Sequence, residues 1–171
     1  SASTGNDFAV VRYNTNGSLD LSFDSDGIAS TNFDLTSNDR AFSVAIQTDG
    51  KIVVSGYNTS SGSNRDFAVV RYNSDGSLDN TFNGSGIVST QIESGVDEGR
   101  SVAIQNDGKI VVAGFCFDNI QRKFSLVRYN TNGSLDNTFN STGIVRTAID
   151  TTDDAAYAMA IQSDGKIVVT G

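Results

Sequence analysis

The 171-residue sequence contains no histidine and no proline, and its only cysteine is Cys116. Without histidine, the chain has no Ser-His-Asp triad, no Cys-His pair and no histidine-rich metal centre. A single cysteine allows no disulfide within the chain. With no histidine to activate it, we expect Cys116 to be an unreactive thiol, half-buried at the end of a strand. These absences favour a protein that is not an enzyme.

Basic residues are also scarce, with 12 Lys and Arg against 20 Asp and Glu, which gives a net charge of −8. A protein that binds duplex nucleic acid needs a basic stripe, and the sequence shows none. No apolar run approaches the roughly 18 residues that a membrane helix requires. We therefore expect no nucleic-acid partner and no insertion into a membrane.

What the sequence does contain is repetition. One segment of twelve residues, Ala-Ile-Gln-x-Asp-Gly-Lys-Ile-Val-Val-x-Gly, begins at Ala45, Ala103 and Ala160, with spacings of 58 and then 57 residues. A fixed period indicates repeated supersecondary units that bury their apolar faces on one another.

Each repeat is predicted to form four short antiparallel strands, which we designate A to D. The first examples are strand A near 42–47, strand B at 51–56, strand C at 8–14 and strand D at 28–31. The Asp-Gly pair between strands A and B is a strong hairpin signal. The apolar run of strand B indicates a sheet covered on both faces. We expect Gly56 to close strand B, where a missing side chain permits close backbone approach.

Four-stranded sheets repeated around an axis form a β-propeller. We treat 1–171 as one all-β repeat domain whose strand order is C-D, A-B-C-D, A-B-C-D, A-B. This order gives half-blades at 7–40 and 156–171 and full blades at 41–98 and 99–155, or three blade-equivalents. Because propellers typically have four to eight blades, we expect the ring to be closed by a second copy, giving six blades, or by further chain. A three-sided β-prism is the alternative fold.

A second motif, Tyr-Asn-x-(Asp/Asn)-Gly-Ser-Leu-Asp-x-(Ser/Thr)-Phe followed by Gly-Ile, occurs at 13–23, 72–82 and 129–139. Together with the twelve-residue segment, it resembles the bacterial delta-sixty repeat, in three copies over nearly the whole chain. The resemblance implies a β-propeller within a secreted or cell-surface bacterial protein, and it implies no particular chemistry.

The C–D turn at 14–20 has too few carboxylates for an EF-hand and is predicted to be a hairpin turn with local Asx bonds. On strand C, we expect each repeated arginine to pair with a repeated aspartate between blades, and one phenylalanine per repeat to wedge between blades. The arginines are Arg12, Arg71 and Arg128, the aspartates Asp20, Asp79 and Asp136, and the phenylalanines Phe23, Phe82 and Phe139.

The A–B and C–D turns hardly vary among the copies, whereas the B–C and D–A connections at the opposite end of each blade differ strongly. Residues 57–66 and 115–123, for example, are equivalent connections with different sequences. Divergent loops on a rigid scaffold are where recognition usually occurs. We therefore expect a non-enzymatic binding scaffold whose protein or glycan ligand meets this variable end.

One acidic position recurs at the variable end, four residues before a Ser or Ala near the start of strand A (Ser43, Ser101 and Ala158). It is occupied by Asp39, Asp97 and Asp154. Since strand A lines the channel of a propeller, these carboxylates would ring its mouth as candidate ligands for calcium or a polar sugar. The alternative is that each aspartate accepts N–H bonds within its own loop. Further candidate ligand-binding residues are Arg40, Glu98, Arg100, Phe115, Phe117 and Tyr157.

Two other functional classes stay open. A calcium- or carbohydrate-binding lectin-like module requires exposed aromatic side chains beside these carboxylates. A polysaccharide-active propeller enzyme requires two carboxylates close together in the channel.

Overall fold

A computed structural model describes residues 5–34, 37–59 and 64–171. In these ranges the chain is all-β, as predicted, and none of the described residues forms a helix that could cross a membrane. The strands are β1 (Phe8–Val11), β2 (Ile28–Thr31), β3 (Arg40–Ile46), β4 (Ile52–Asn58), β5 (Asp66–Tyr72), β6 (Ile87–Thr90), β7 (Asp97–Ile104), β8 (Ile110–Phe117), β9 (Arg122–Tyr129), β10 (Ile144–Thr147), β11 (Ala158–Ile161) and β12 (Ile167–Thr170).

The strands form four separate antiparallel sheets. Strands β3 to β6 make the first full blade and β7 to β10 the second, each strand pairing with the next. Strands β1 and β2 make the N-terminal half-blade, and β11 and β12 the C-terminal half-blade. This arrangement confirms the predicted order C-D, A-B-C-D, A-B-C-D, A-B. The A strands β3, β7 and β11 are neighbours in space, as the inner strands of propeller blades are.

The tight turns have the chemistry that their sequences predict. Gly50, in the first A–B turn, has φ of +84°, and its N–H donates to the carbonyl of Gln47 at 2.9 Å. In the C–D turn of the first full blade, Asp75 Oδ1 accepts from the N–H of Ser77 at 3.0 Å and from its hydroxyl at 2.6 Å. These are the local Asx bonds expected of a hairpin turn, and they occupy the side chains that an EF-hand would use for calcium.

Strand B is longer than predicted, because β4 runs on to Asn58 instead of closing at Gly56. The close approach expected at this glycine is confirmed, since an added Cβ would lie 1.8 Å from the carbonyl oxygen of Arg40. The strand continues because Tyr57 still pairs with Arg40 on one side and with Phe67 on the other. Part of the connection assigned to a variable loop is therefore sheet, and residues 60–63 of it lie outside the described residues.

The core lies between blades. Val53 and Val69 of the first full blade pack against Val112 of the second, and all of them are completely or almost completely buried. Every residue of β4 is buried, which confirms that this sheet is covered on both faces. The equivalent strand β12 alternates between half-buried and exposed residues, because only one of its faces is covered.

The predicted phenylalanine wedges are present. Phe82 is completely buried, and a Cβ added to Gly133 in the next blade would lie 3.0 Å from its ring. Phe23 lies against Gly76 in the same way, at 3.1 Å. Phe139 is only half-buried.

The predicted arginine–aspartate pairs are also present. Arg71 Nε donates to Asp79 Oδ2 at 2.7 Å, and the equivalent Arg12–Asp20 and Arg128–Asp136 pairs measure 2.8 Å. Both partners belong to one repeat, so the ion pair itself does not bridge blades as expected. The bridge is made by Arg71 Nη1, which donates to the carbonyl of Thr131 in the next blade at 2.6 Å.

Cys116 is completely buried, not half-buried as predicted, because β8 extends to Phe117 and places the thiol inside the sheet. Burial raises the pKa of this thiol, and the neighbouring Asp97 raises it further. A thiol that is buried and protonated is unreactive, in agreement with the sequence analysis.

We expect replacement of Asp79 by Asn to destabilise the chain by about 3–5 kcal/mol at pH 7, because the buried Arg71 would lose its charge partner. The matched control is Asp49→Asn, which removes an exposed partner of the same Lys51 and should cost less than about 1 kcal/mol. Chemical denaturation of both variants measures these losses, and equal losses would contradict the prediction.

The loss of stability caused by Asp79→Asn should depend on pH. Burial alone would raise the pKa of Asp79, but bonds from Thr81 and Lys51 and the charge of Arg71 outweigh burial and hold it well below its usual value. The carboxylate therefore contributes stability above the unfolded pKa of about 4, and this contribution is lost as the pH falls toward the folded pKa. The difference between the wild-type chain and Asp79→Asn should shrink in acid.

Candidate functional site

A β-bulge on strand A creates the site. In β3 the register with β4 shifts between Ala41 and Ser43, and in β7 the register with β8 shifts between Gly99 and Ser101. The extra residues are Phe42 and Arg100, and a bulge redirects the side chain that it carries. Tyr157 occupies the same position of the third repeat, immediately before β11.

These three positions meet at Arg100. The Cζ atom of Arg100 lies 4.0 Å from the ring centre of Phe42, and 5.8 Å from those of Tyr157 and Phe115. Distances of up to about 6 Å allow a cation–π attraction. Phe42 and Tyr157 are exposed, whereas Phe115 is buried beneath them. We call Phe42, Arg100, Phe115 and Tyr157 the arginine–aromatic cluster.

A buried carboxylate orients the arginine. Glu98 is 1 % exposed, and its two oxygens accept hydrogen bonds from Arg100 Nη2 and Arg65 Nη1. Arg65 in turn lies 4.5 Å from the ring centre of Tyr57. One carboxylate therefore pairs with two guanidinium groups, so the ion-pair network of Arg65, Glu98 and Arg100 has one more basic than acidic side chain.

A further arginine extends this surface. Arg122 lies 4.8 Å from the ring centre of Phe115, and among the described residues it forms no ion pair. Guanidinium groups beside exposed rings can bind a carboxylate while a ring stacks on the flat face of a ligand. The arrangement is therefore suited to an anionic ligand with a stacking face.

The three recurring aspartates do not join this cluster. Asp39, Asp97 and Asp154 each accept a backbone N–H from their own D–A connection, from Phe33 at 3.2 Å, Ile92 at 2.7 Å and Ile149 at 2.8 Å respectively. Asp39 and Asp97 are completely buried. These contacts are of the loop-closing kind that the sequence analysis gave as the alternative to a ligand site.

No cluster of three or more acidic, histidine or cysteine side chains within the described ranges could hold a metal ion. Calcium binding at Asp39, Asp97 and Asp154 stays a prediction, and each carboxylate would have to exchange its backbone bonds for the cation.

The other predicted residues divide between the cluster and its surroundings. Glu98, Arg100, Phe115 and Tyr157 come together as described above. Arg40 is exposed at the start of β3, opposite Tyr57 in the sheet. Phe117 packs at the end of β8 against the D–A connection, where a Cβ on Gly95 would lie 3.0 Å from its ring.

Sequence reasoning did not single out Phe42, Tyr57, Arg65 or Arg122, although the last three lie in the divergent connections 57–66 and 115–123 that it assigned to the variable end. A signal for Phe42 was present, because the position is Phe, Arg or Tyr in the three copies while the strand around it hardly changes. The sequence analysis did not predict the β-bulge, and without it the proximity of these side chains could not be inferred.

Asp97 has an unusual acidity. Its pKa is raised to about 6. Burial is the largest cause and the charge of Asp66 adds to it, whereas N–H bonds from Glu93 and Ile92 lower the pKa. A completely buried carboxyl cannot reach a substrate, so this shift affects stability and does not identify a catalytic acid.

We expect the Asp97 carboxyl carbon to titrate near pH 6 when followed by NMR. The pKa of Asp97 is higher in the folded chain than in the unfolded chain. The free energy of unfolding is therefore highest below the unfolded pKa, and it falls by roughly 3 kcal/mol as the pH rises through about 6. Asp66→Asn should lower the midpoint, since it removes a neighbouring negative charge. A midpoint near 4, or one that is unchanged by Asp66→Asn, would contradict the prediction.

A known protein family matches this chain. The family described as "Domain of unknown function (DUF5122) beta-propeller" matches residues 1–23, 47–82 and 105–139, which together make up more than half of the chain. No curated protein matches the sequence. The description agrees with the propeller interpretation and disfavours the β-prism alternative.

Proposed function

Because the chain belongs to this β-propeller family of unknown function, we propose that it is a non-enzymatic binding module that recognises an acidic glycan at the variable end of its blades. The observation that carries the proposal is the position of Arg100 between exposed Phe42 and Tyr157. The resemblance to the delta-sixty repeat adds the proposal that the protein acts outside a bacterial cell, as secreted or surface-attached.

The choice of an acidic ligand follows from a local departure from the overall charge. The chain as a whole carries −8 and repels anions, whereas Glu98 pairs with two guanidinium groups, those of Arg65 and Arg100. Arginine binds carboxylates with two parallel hydrogen bonds, so a uronic acid would satisfy it better than a neutral sugar.

The choice of a glycan follows from the exposed rings. The apolar face of a sugar ring stacks on aromatic side chains. Phe42 lies within β3, and the N–H of Tyr157, just before β11, donates to the carbonyl of Thr170 in β12 at 2.9 Å. Rigid aromatic side chains contribute contact area at a low cost in conformational entropy. A protein ligand with an acidic segment is the second outcome that the experiment separates.

We expect the chain to bind oligomers of galacturonic acid and not neutral gluco-oligosaccharides of the same length, as measured by isothermal titration. Arg100→Ala and Tyr157→Ala should each weaken binding at least about tenfold, which corresponds to roughly 1.4 kcal/mol. Arg100→Lys should retain only part of the affinity, because it keeps the charge and loses the planar fork.

The control variant is Arg146→Ala, which removes an exposed arginine that pairs with Glu93 outside the cluster and should leave affinity unchanged. Melting curves of all variants exclude loss of folding as the cause. Failure of every acidic oligosaccharide to bind would refute the glycan ligand, and equal affinity of the Arg100→Ala chain would refute the site. Repeating the titration with calcium tests the cation hypothesis.

A further inference from the structure

We propose that Arg122, beside Ala155, forms a subsite for a carboxylate group, so that the ligand of the arginine–aromatic cluster carries two acid groups, one at Arg122 and one at Arg100. That both acid groups belong to a glycan rests on the proposed function, whereas the carboxylate subsite itself follows from a comparison of equivalent positions within the chain.

Three junctions between blades have the same backbone contact. At each, an aspartate N–H near the start of strand A donates to a carbonyl near the start of strand C in the preceding blade. The pairs are Asp39 with Asn6 at 2.7 Å, Asp97 with Arg65 at 2.7 Å, and Asp154 with Arg122 at 3.1 Å. The residues that follow the three aspartates, Arg40, Glu98 and Ala155, are therefore equivalent. A Cβ on the facing strand B glycine would lie 1.8 Å from the carbonyl oxygen of each of them, which confirms the equivalence.

The second junction contains a carboxylate at this position. Glu98 is 1 % exposed and accepts a hydrogen bond from Arg65 Nη1. The guanidinium group of Arg65 also lies over the ring of Tyr57, 4.5 Å from its centre. An arginine that contacts an aromatic ring and pairs with a carboxylate is thus the arrangement that the repeat itself uses here.

The third junction keeps the arginine and the ring and lacks the carboxylate. Arg122 lies 4.8 Å from the ring centre of Phe115, much as Arg65 lies over Tyr57. Ala155 takes the place of Glu98, and a methyl group offers no acceptor. Among the described residues, the guanidinium group of Arg122 forms no hydrogen bond and no ion pair. The chain therefore presents a guanidinium group without the carboxylate that the preceding repeat pairs with it.

The acidic side chains next to Arg122 are engaged with other groups. Asp153 Oδ1 accepts the backbone N–H of Arg122 at 2.8 Å and does not pair with its guanidinium group. Asp118 pairs with Lys123 at 2.6 Å. The charge of Arg122 is thus available for a carboxylate that is not part of the chain, and a guanidinium group can bind one with two parallel hydrogen bonds.

The exposure of Arg122 is a property of its position in the repeat. Arg65 is followed by a full blade, and its side chain is nevertheless 41 % exposed. Arg122 is exposed as well. The position is therefore open to solvent beside a complete blade as much as beside the strands β11 and β12.

The Arg122 subsite adjoins the ring on which the proposed ligand stacks. Tyr157 follows Ala155 by two residues, as Arg100 follows Glu98, and Arg100 donates to Glu98 directly. A carboxylate that takes the place of the Glu98 side chain at the third junction would therefore lie beside Tyr157.

One ligand can reach both arginines. The guanidinium groups of Arg100 and Arg122 lie 5.8 Å and 4.8 Å from the ring centre of the same Phe115. Arg100 also lies 5.8 Å from the ring centre of Tyr157. A sugar that stacks on Tyr157 would thus have a guanidinium group toward each of its neighbours, which suits an oligomer with an acid group on successive sugars.

The first test is a titration with acetate, followed through the Nε–H signals of the arginines by NMR. We expect the Arg122 signal to shift saturably at millimolar acetate and the Arg65 signal to stay, because Glu98 already binds Arg65. Ala155→Glu should abolish the shift, since it supplies a carboxylate from the chain itself. An Arg122 signal that moves no more than that of Arg65 would overturn the subsite.

The second test is isothermal titration with trigalacturonate. Arg122→Ala should weaken binding at least about tenfold, because a charge-assisted pair is lost. Ala155→Glu should weaken it to a similar degree, because the added carboxylate competes with that of the ligand. Melting curves check that both variants fold, and the Arg65–Glu98 pair shows that the repeat accommodates a glutamate at this position.

The matched control is Asn106→Glu, which adds the same charge at an exposed A–B turn, at the opposite end of the blade, and should leave affinity unchanged. If Arg100→Ala weakens binding while Arg122→Ala and Ala155→Glu bind as the wild-type chain does, the second subsite is wrong and the proposed function stands. If acetate shifts the Arg122 signal but no acidic oligosaccharide binds, the glycan ligand is wrong and the carboxylate subsite stands.

Discussion

The guanidinium group of Arg71 joins the two full blades, and the packing of the chain depends on contacts of this kind. It pairs with Asp79 inside its own blade, lies 4.5 Å from the ring centre of Phe82 and donates to a carbonyl in the next blade. One side chain therefore fixes the C–D turn, the wedge and the neighbouring turn together. Since it is buried, its removal would leave several groups without partners at once.

In the described parts of the chain each blade packs against its neighbours in the array, so residues of the same type differ in burial according to whether a neighbour is present. Tyr72 is buried and Tyr13 is exposed, although the sequences around them are nearly identical. Stability in such a repeat array is the sum of the repeats and their interfaces. Exposed residues of the half-blades, such as Tyr13 and Val168, occupy repeat positions that are buried between the full blades, where Tyr72 and Val53 lie.

Most of the architecture could be predicted because it is repeated. The Asp-Gly turns, the apolar strands, the Arg71–Asp79 pair and the Phe82 wedge all follow from local chemistry that recurs in each copy. The sequence did not reveal that Asp97 is completely buried, since a repeated aspartate can serve either a ligand or its own loop. The backbone bonds that decide between these roles depend on the tertiary path of the D–A connection.

The arginine–aromatic cluster was only half-predicted because its cause is a backbone feature. The glycine that ends each twelve-residue segment is required by the close approach of strand A, since a Cβ on Gly114 would lie 1.8 Å from the carbonyl oxygen of Glu98. That requirement constrains strand B and leaves the bulged residue of strand A free to be Phe42, Arg100 or Tyr157. The fold thus sets where the side chain points and leaves its chemistry open. A repeat that is strict in its packing can therefore carry a different binding surface in each protein that uses it.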